Sequence, residues 1–262
     1  GQHRADPLVA DLPVQPGESD ADNNIASAPF TVRPPRPRVL YVEHPPRYEY
    51  RFLKSALIRD ASLFVHCWLQ SADDDFPQEH TRYTTDPRFS EPLASMPKNI
   101  GELLEYDVVI IGDVDPAKLP VDALRSFVED HGRGIIFIAG SVNATRHWQG
   151  SPLSKLLPVD LAAPAAEVEV AEKTCAYRLT PEGRINPLVR FPAFKDDARN
   201  AEHWEDGDRK QDGLAGVRWF ARGKPREGSR ALVEVGIVDA WWPLFVTSPV
   251  GRGRVFFSAS DE

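Results

Sequence analysis

Hydrophobic residues between positions 38 and 139 fall into four short blocks separated by longer, mixed stretches. Each block is rich in β-branched or aromatic residues and is short enough to be a single strand. The blocks are Val39–Val42, Leu63–Leu69, Asp107–Ile111 and Ile135–Ala139. The last block is apolar throughout, which is typical of a strand buried on both faces. The pattern therefore predicts strands of a buried sheet.

The stretches between the blocks carry apolar residues at helical spacing. Pro46 is a favourable first-turn residue for a helix that follows the first strand. The predicted apolar face of this helix consists of Phe52, Leu53, Ala56 and Leu57. A short helix is predicted at Ile100–Leu104, and an amphipathic helix at Val121–His131 is followed by Gly132, a typical left-handed cap. Because parallel strands need such crossovers, we expect the four strands to be parallel neighbours with helices on both faces.

From residue 167 onward, short β-type blocks alternate with Gly and Pro turns. The predicted strands are Glu167–Leu179, Leu214–Ala221, Ala231–Val235, Leu244–Ser248 and Arg254–Ser258. Gly251–Gly253 separates the last two strands and is typical of a hairpin turn. We expect these strands to extend the sheet or to form a small antiparallel flap. The stretch Ser71–Lys98 is a long irregular loop, and loops of that length are usually functional or partly disordered.

Residues 1–33 are polar and turn-rich, with one strand-like stretch at Ala26–Val32. Such a segment cannot bury a core by itself. The proline-rich run Pro34–Pro37 is typical of a stiff linker. We therefore interpret residues 1–33 as the trailing segment of an upstream β module and residues 38–262 as an α/β domain. The chain is expected to be a piece of a longer protein.

Composition limits the classes of partner. The chain is 42% hydrophobic and 27% charged, with a net charge of -8 and a pI near 5.4. This acidic balance argues against nucleic acid as a partner, and no apolar run approaches the ~20 residues of a membrane span. Cys67 and Cys175 lie in no metal-ligand spacing and are expected to be buried free thiols. No cofactor or metal motif is recognised.

Candidate chemistry lies where predicted strands end. Glu43 ends the first strand, and Asp113 and Asp115 follow the third. The carboxyl ends of parallel strands form the ligand crevice of an open sheet. The candidate crevice residues are Glu43, His44, Arg47, Asp113, Asp115 and Ser141. No catalytic residue and no metal ligand is assigned among them.

Two chemical interpretations of these carboxylates compete. Carboxylates at adjacent strand ends are ligands that Mg²⁺ prefers, and a Glu followed by a later Asp-x-Asp also resembles the Toprim pattern. However, His44 stands where that pattern has glycine, and its downstream acid is absent. The structural alternative has Asp115 form an Asx-type turn before Pro116, while Arg47 pairs with Glu43. We favour the structural interpretation.

Ser141 follows the buried strand at the position where a hydrolase would carry its nucleophile. The sequence AGSVN lacks the second glycine of the G-x-S-x-G elbow. A base would have to come from His147 or His44. A loop or helix-cap serine is the favoured interpretation.

Three segments carry a resemblance to a known family: YVEHPPRYEYRFLK from Tyr41, DVVIIGDVDP from Asp107 and PLFVTSPVGRGRVFFSASDE from Pro243. They resemble the class I glutamine amidotransferase-like domains of large bacterial envelope proteins that also carry von Willebrand A-like and Ig-like modules. The resemblance implies a flavodoxin-like three-layer α/β sandwich with additional C-terminal strands. It also implies an Ig-like origin for residues 1–33 and a location at the cell envelope.

The chain departs from the family at its catalytic residues. Amidotransferases of this fold carry a cysteine on a G-x-C-x-G elbow and a His/Glu pair near the C-terminus, but Gly140–Asn143 contains no cysteine and the last histidine is His203. Fold does not transfer activity when the nucleophile and base are missing. We therefore expect a pseudoenzyme that acts as a structural or interaction module, with other modules of the full-length protein or a separate protein as partners. The alternative is a hydrolase or metal-dependent enzyme that uses Glu43, Asp113 and Ser141.

Overall fold

The structure is a computed structural model. It describes residues 8–13, 16–19, 24–28, 36–44, 46–73, 75–82, 84, 86–161, 175–194, 196–205, 214, 216–237 and 240–261. The chain divides into two compact units, residues 1–36 and 37–262. We describe each unit by itself.

The first unit contains a two-stranded antiparallel sheet. Its strands are β1 (Leu8–Asp11) and β2 (Ile25–Ala28), with Leu8 opposite Ala28. The predicted strand Ala26–Val32 overlaps β2, and its remainder after Ala28 lies outside the described residues. The origin of this unit in an Ig-like module stays a prediction.

The second unit is built on one eight-stranded sheet. The strands of this unit are β3 (Arg38–Glu43), β4 (Phe64–Leu69), β5 (Val108–Ile111), β6 (Gly134–Ile138), β7 (Val159–Leu161), β8 (Ala176–Leu179), β9 (Gly223–Pro225), β10 (Arg230–Ile237), β11 (Ala240–Val250) and β12 (Gly253–Ser258). The order across the main sheet is β4-β3-β5-β6-β12-β11-β10-β8, whereas β7 and β9 form a separate pair. The C-terminal strands thus extend the sheet, which was one of the two expected arrangements.

The first five strands of the main sheet, β4-β3-β5-β6-β12, are parallel to their neighbours. In chain order these five have the 2-1-3-4-5 arrangement of flavodoxin-like folds. The strands β11, β10 and β8 then continue the sheet in antiparallel pairing. The predicted α/β fold and the parallel pairing of the first four strands are confirmed. The point at which the strand order reverses lies between β3 and β5.

Helices cover both faces of the parallel part. The helices are α1 (Tyr48–Arg59), α2 (Ile100–Leu103), α3 (Val121–Glu129), α4 (Pro181–Ile185) and α5 (Asp197–Glu205). One core cluster joins α1 to Val39, Tyr41, Val65 and Cys67. The other joins α2 and α3 to the opposite face, through Leu40 and Val109 among others. Alternating residues of one strand therefore enter two different cores, as the period of a strand requires.

Some predicted boundaries were wrong. The first helix begins at Tyr48, so that Pro46 precedes it, and Phe52 is 66% exposed instead of facing the sheet. The packed face of α1 consists of Tyr50, Leu53, Leu57 and Ile58. Gly132 does take a positive φ, 69°, after α3. In the described part of Leu214–Ala221, Val217 makes only an isolated bridge with Cys175, so this stretch is not a strand.

The amino ends of the parallel strands are held by an ion cluster. Asp107 precedes β5 and accepts hydrogen bonds from the backbone N–H, Nε and Nη2 of Arg38 at 2.9, 3.0 and 2.9 Å. Arg133, which precedes β6, also pairs with Asp107. The Asp107 side chain is 29% exposed. One carboxylate thus links three adjacent strands at the sheet's amino edge.

Candidate functional site

The candidate crevice lies at the carboxyl ends of β3 and β5, where the strand order reverses. Glu43 is the last residue of β3, and Asp113 follows β5 after Gly112; both acids are fully buried. A Cβ atom at Gly112 would overlap the Glu43 carboxylate. The glycine therefore lets the two strand ends approach each other. In this fold a ligand would be expected at this point.

The Glu43 carboxylate is surrounded by donors. Its Oε1 accepts hydrogen bonds from the backbone N–H groups of His44 (3.1 Å) and Asp113 (2.7 Å). Its Oε2 accepts from the Tyr41 hydroxyl (3.2 Å) and from Nη2 of Arg47 (2.6 Å). Four donors satisfy most of the acceptor capacity of one carboxylate. Glu43 thus contacts the backbone of Asp113 instead of sharing a cation with its side chain.

Arg47 fills the crevice from the start of α1. Its guanidinium pairs with Glu43 and with Asp261, which follows β12. The side chains of Arg47, Glu43 and Asp261 are 9%, 0% and 6% exposed. One buried cation therefore lies between two buried carboxylates. Arg51, one turn further along α1, is exposed.

Burial dominates the ionisation of this network. It raises the pKa of both Glu43 and Asp261 above their ordinary values, and the attraction of Arg47 offsets that rise only in part. Burial alone would lower the pKa of Arg47, but the combined attraction of its neighbours, chiefly Glu43 and then Asp261, outweighs burial, so the pKa of Arg47 is raised. The guanidinium is therefore always charged. The attraction between the guanidinium and the two carboxylates holds the network together, although burial disfavours all three charges.

Asp113 is bonded to the loop that follows β6. Its Oδ1 accepts from the backbone N–H groups of Asn143 (2.8 Å) and Ala144 (2.7 Å), and its Oδ2 accepts from that of Val142 (2.8 Å). The Asn143 side chain returns a bond to the Asp113 carbonyl at 2.8 Å. A Cβ at Gly140 would overlap Asp113. We call the three N–H groups of Val142, Asn143 and Ala144 the amide cradle; Asp113 occupies it.

Ser141 is exposed and immediately precedes the amide cradle. In a hydrolase elbow, the N–H of the residue after the nucleophile stabilises the oxyanion. Here that N–H belongs to Val142 and already donates to Asp113. The chain then enters a turn and a short π-helix, Ala144–Trp148, instead of the α-helix of an elbow. The surroundings of Ser141 therefore differ from those of the serine in such an elbow.

Asp115 directs its carboxylate to the next turn of chain. Its Oδ1 accepts from the N–H of Ala117 at 3.0 Å and caps the single helical turn Pro116–Lys118. The predicted Asx-type turn is confirmed. The structure thus brings Glu43, His44 and Arg47 together with the backbone of Asp113 and assigns Asp115 to a cap.

Several residues of this edge were not identified from the sequence. Asp261 and Tyr41 bind directly to the Arg47–Glu43 pair, and Asn143 helps to hold the amide cradle. Gln70 donates from its backbone to the Glu43 carbonyl (2.7 Å) and accepts from the N–H of Asp115 (3.1 Å). Asp261 carried a usable signal, since it is an acid directly after a strand.

Four buried polar atoms at this edge have no hydrogen-bond partner among the residues that the structure describes: Nδ1 of His44, Nε of Arg47, Nε2 of Gln70 and Oδ1 of Asp261. They are the atoms through which a small polar ligand could be held here. Within the residues that the structure describes, no three His, Cys, Asp or Glu side chains converge as metal ligands. None of the described helices is long and apolar enough to cross a bilayer.

Both cysteines are buried and free, as expected. Burial raises the pKa of the Cys67 thiol to about 12 and also raises that of Cys175. The nucleophile in thiol chemistry is the thiolate. Both groups are therefore protonated at neutral pH, and Cys67 lies inside β4, away from the loop after β6.

No protein-family model matches this chain, and no curated protein is similar to it in sequence. Similarity is found among solved structures. The cytoplasmic protein STM3548 from Salmonella typhimurium has a TM-score of 0.57 at 16% identity, with 86% of this chain and 87% of that chain covered. The cytoplasmic protein STM1381 from Salmonella typhimurium LT2 has a TM-score of 0.56 at 16% identity, with coverages of 86% and 88%.

A ThuA-like protein from Bacteroides uniformis ATCC 8492 also matches, with a TM-score of 0.48, 10% identity and coverages of 89% of this chain and 85% of that chain. At these identities, the Salmonella structures support the flavodoxin-like α/β fold and nothing about chemistry. Any statement about function has to come from the crevice itself.

Proposed function

We propose that this chain is a non-catalytic, amidotransferase-like domain that serves as a structural or interaction module of a larger protein. The observation that carries this proposal is the bonding of Asp113 to all three N–H groups of the amide cradle. These are the groups on which acyl-transfer chemistry at Ser141 would depend. A carboxylate of the protein itself uses them.

The electrostatics of this arrangement oppose hydrolysis. An oxyanion needs N–H donors within about 2.7–3.1 Å of its oxygen and no competing negative charge. The Val142 donor is bonded to Asp113 at 2.8 Å. An oxyanion formed at Ser141 would approach that carboxylate instead of a free donor. The loop therefore disfavours the negatively charged oxyanion through which hydrolysis at Ser141 would proceed.

The charged network beside Asp113 supports a structural role. Arg47 joins the end of β3 and the start of α1 to the segment after β12 through two buried ion pairs. The two carboxylates hold the guanidinium in one position between them. The network connects the first and fifth parallel strands in chain order. It thus closes the crevice and holds the sheet's carboxyl edge.

The biological setting of the proposal comes from the sequence resemblance. It suggests an envelope-associated protein in which residues 1–33 end an Ig-like module and residues 38–262 form the amidotransferase-like domain. The partners proposed are the other modules of that protein, or a separate protein. Neither nucleic acid nor the membrane is proposed as a partner of this segment.

The test is an activity screen with matched variants. Purified protein is assayed for ammonia release from glutamine and for hydrolysis of p-nitrophenyl acetate, alongside Ser141→Ala and the exposed control Ser19→Ala. We expect all three proteins to match the buffer background, and iodoacetamide to change nothing. Turnover by the unmodified protein that Ser141→Ala abolishes and Ser19→Ala retains would refute the proposal.

A second candidate is an enzyme that uses the crevice around Glu43 and Asp113 with a small polar ligand or a metal ion. The four unpartnered buried atoms around Arg47 are the observation that favours it. Calorimetric titration with Mg²⁺ and Mn²⁺ distinguishes the two candidates. Saturable binding that Glu43→Gln removes would favour the second; absence of heat supports the first.

A further inference from the structure

Basic residues are concentrated in two segments of this acidic chain. Residues 144–160 and 214–230 together contain seven Lys or Arg residues and two Asp or Glu residues, which is a net charge of +5. The whole chain has a net charge of -8. A local excess of charge whose sign is opposite to that of the whole chain can attract and orient an oppositely charged partner. These two segments are therefore candidates for an interaction surface.

The fold brings the two segments together. The strands β7 and β9 are antiparallel, and Asp160 lies opposite Lys224. The backbone N–H of Arg226 donates to the Pro158 carbonyl at 3.0 Å, and Nη1 of Arg226 donates to the Lys155 carbonyl at 3.4 Å. Residues that are more than 60 positions apart thus form one two-stranded ribbon.

The two faces of this ribbon differ in polarity. Side chains alternate between the faces of a strand, so Arg222, Lys224 and Arg226 occupy alternate positions on one face of the β9 segment. Asp160 lies on the same face, opposite Lys224. On the other face, Val159 is 1% exposed and belongs to the main core. We call the face with three cations and one carboxylate the basic face.

Much of the positive charge near the basic face lacks a counter-ion in the part of the chain that the structure describes. Asp160 accepts from Nε of Arg226 at 2.7 Å, which neutralises that arginine. Lys155, Arg222 and Lys224 form no ion pair with any described residue. Both lysines are exposed. Three cations next to one another are therefore available for carboxylates of a partner.

Arg222 lies beside an aromatic ring. Its guanidinium is 5.2 Å from the centroid of the Trp242 ring, and Trp242 packs against Phe220 with 5.4 Å between centroids. Nε of Arg222 is buried and has no hydrogen-bond partner among the described residues. A guanidinium next to a ring keeps its charge and its planar set of donors. Arginine can therefore bind a carboxylate through two N–H groups at once.

We propose that the basic face binds an extended, acidic segment of a partner protein that carries Asp or Glu at every second position. Alternate side chains of an extended chain are about 6.6 Å apart. Arg222 and Lys224 are alternate residues of the β9 segment and have the same spacing. Successive carboxylates of the segment would thus lie beside these two cations, with Lys155 next to them.

The size of the ribbon favours a short peptide over a nucleic acid. The strands β7 and β9 contain three residues each. A long polyanion would extend beyond them onto the rest of a chain whose net charge is -8 and would be repelled there. A short segment with alternating carboxylates would remain on the basic face. This inference rests on the proposed interaction role and names the class of partner.

The test uses two rhodamine-labelled peptides of equal composition. In one, glutamate and threonine alternate; in the other, the glutamates are consecutive. Binding is followed by fluorescence anisotropy. We expect saturable binding of the alternating peptide, about threefold or more tighter than that of the other peptide, and weaker binding as NaCl is added. An alternating peptide with lysine in place of glutamate should not bind.

Variants locate the binding on the protein. Lys224→Gln should weaken binding about twofold to fivefold, as expected for one exposed charge. Arg222→Gln should weaken it about fivefold or more, because arginine can form two bonds to a carboxylate. Arg254→Gln removes the same charge from an exposed position on β12 and should bind like the unmodified protein. Circular dichroism verifies that each variant is folded, and the exposed Lys224 provides the test if Arg222→Gln is not.

Several results would overturn this assignment: no saturable binding, equal binding of either control peptide, or unchanged binding by the folded Arg222 and Lys224 variants. Tighter binding of a single-stranded oligonucleotide would assign the basic face to nucleic acid instead. Self-association in sedimentation experiments that Lys224→Gln abolishes would assign it to a second copy. Turnover in the Ser141 assays would overturn the non-catalytic role and leave the peptide binding in place.

Discussion

Each end of the parallel sheet carries an ion cluster, and the numbers of cations and carboxylates are reversed between the two clusters. At the carboxyl end, the Arg47 cation lies between the carboxylates of Glu43 and Asp261, all less than 10% exposed. At the amino end, one carboxylate, Asp107, lies between the cations of Arg38 and Arg133 and is 29% exposed. The same residue types are present at both ends. The difference lies in burial and in which charge is in excess.

This difference reverses the ionisation of the acids. Hydrogen bonds from Arg38 hold the pKa of Asp107 below its ordinary value. Burial raises the pKa of Glu43 and Asp261 even though both contact an arginine. Pairing dominates where water remains close, and desolvation dominates where water is excluded. The buried cluster is therefore the one whose integrity depends on every member.

Removing the central cation should have the largest effect. Arg47→Met would leave two buried carboxyl groups without their counter-ion, and breaking a buried pair in this way costs about 3–5 kcal/mol. Arg133→Met at the amino end should cost about 1 kcal/mol or less, because exposed pairs contribute little. Urea denaturation of both variants measures the free energies of unfolding. Equal losses would mean that the two clusters do not differ as described.

Two glycines, one near each end of the parallel sheet, allow the two ends to be compared by adding a Cβ atom. A Cβ at Gly112 would overlap the Glu43 carboxylate, whereas a Cβ at Gly134 would meet only Val108 at 3.6 Å, an ordinary contact. Gly112→Ala should therefore destabilise the protein by about 1–3 kcal/mol. Gly134→Ala at the amino end should change stability by about 1 kcal/mol or less. Thermal denaturation compares them, and a harmless Gly112→Ala would contradict the close approach of β3 and β5.

The two clusters should also affect the pH dependence of stability differently, and this is the smallest of the three expected effects. A raised pKa means that the folded state binds protons more readily, so Asp261 disfavours folding increasingly as pH rises above the unfolded value of about 3.9. Asp107 has a lowered pKa, so its contribution is present above that value and is lost as pH falls below it. Asp261→Asn should therefore remove a decline in stability above pH ~4. Asp107→Asn should remove a loss below pH ~4. Urea titrations across pH that show the same profile for both variants would contradict this assignment.

Much of the fold could be predicted because its determinants are local. Runs such as Ile135–Ala139 and the helical spacing between them are sufficient for a parallel sheet. The helices α4 and α5 were not predicted, although Thr180 followed by Pro181 and Glu182 is a helix-start pattern. The contacts of His66 with Tyr106 and with the Glu91 carbonyl had no sequence signal, because they depend on how residues 86–97 pack.

The candidate site was predicted in part, for a physical reason. Glu43 and Asp113 follow from the rule that parallel strands end at the crevice. The same rule applied to β12 would have found Asp261, but that strand was expected among flap or edge strands and proved to be parallel to β6. The role of Asp113 could not be predicted, because it depends on the backbone of the loop after Gly140.

Hydrogen exchange at the amide cradle tests the central claim most directly. Val142 is 45% exposed as a residue, yet its N–H donates to the buried Asp113 carboxylate, as do those of Asn143 and Ala144. Residue-resolved exchange by NMR should show all three amides protected at pH 7, in contrast to the exposed turn at Gly228. Exchange of the cradle amides as fast as that turn would contradict the claim, because these donors would then be free for an oxyanion.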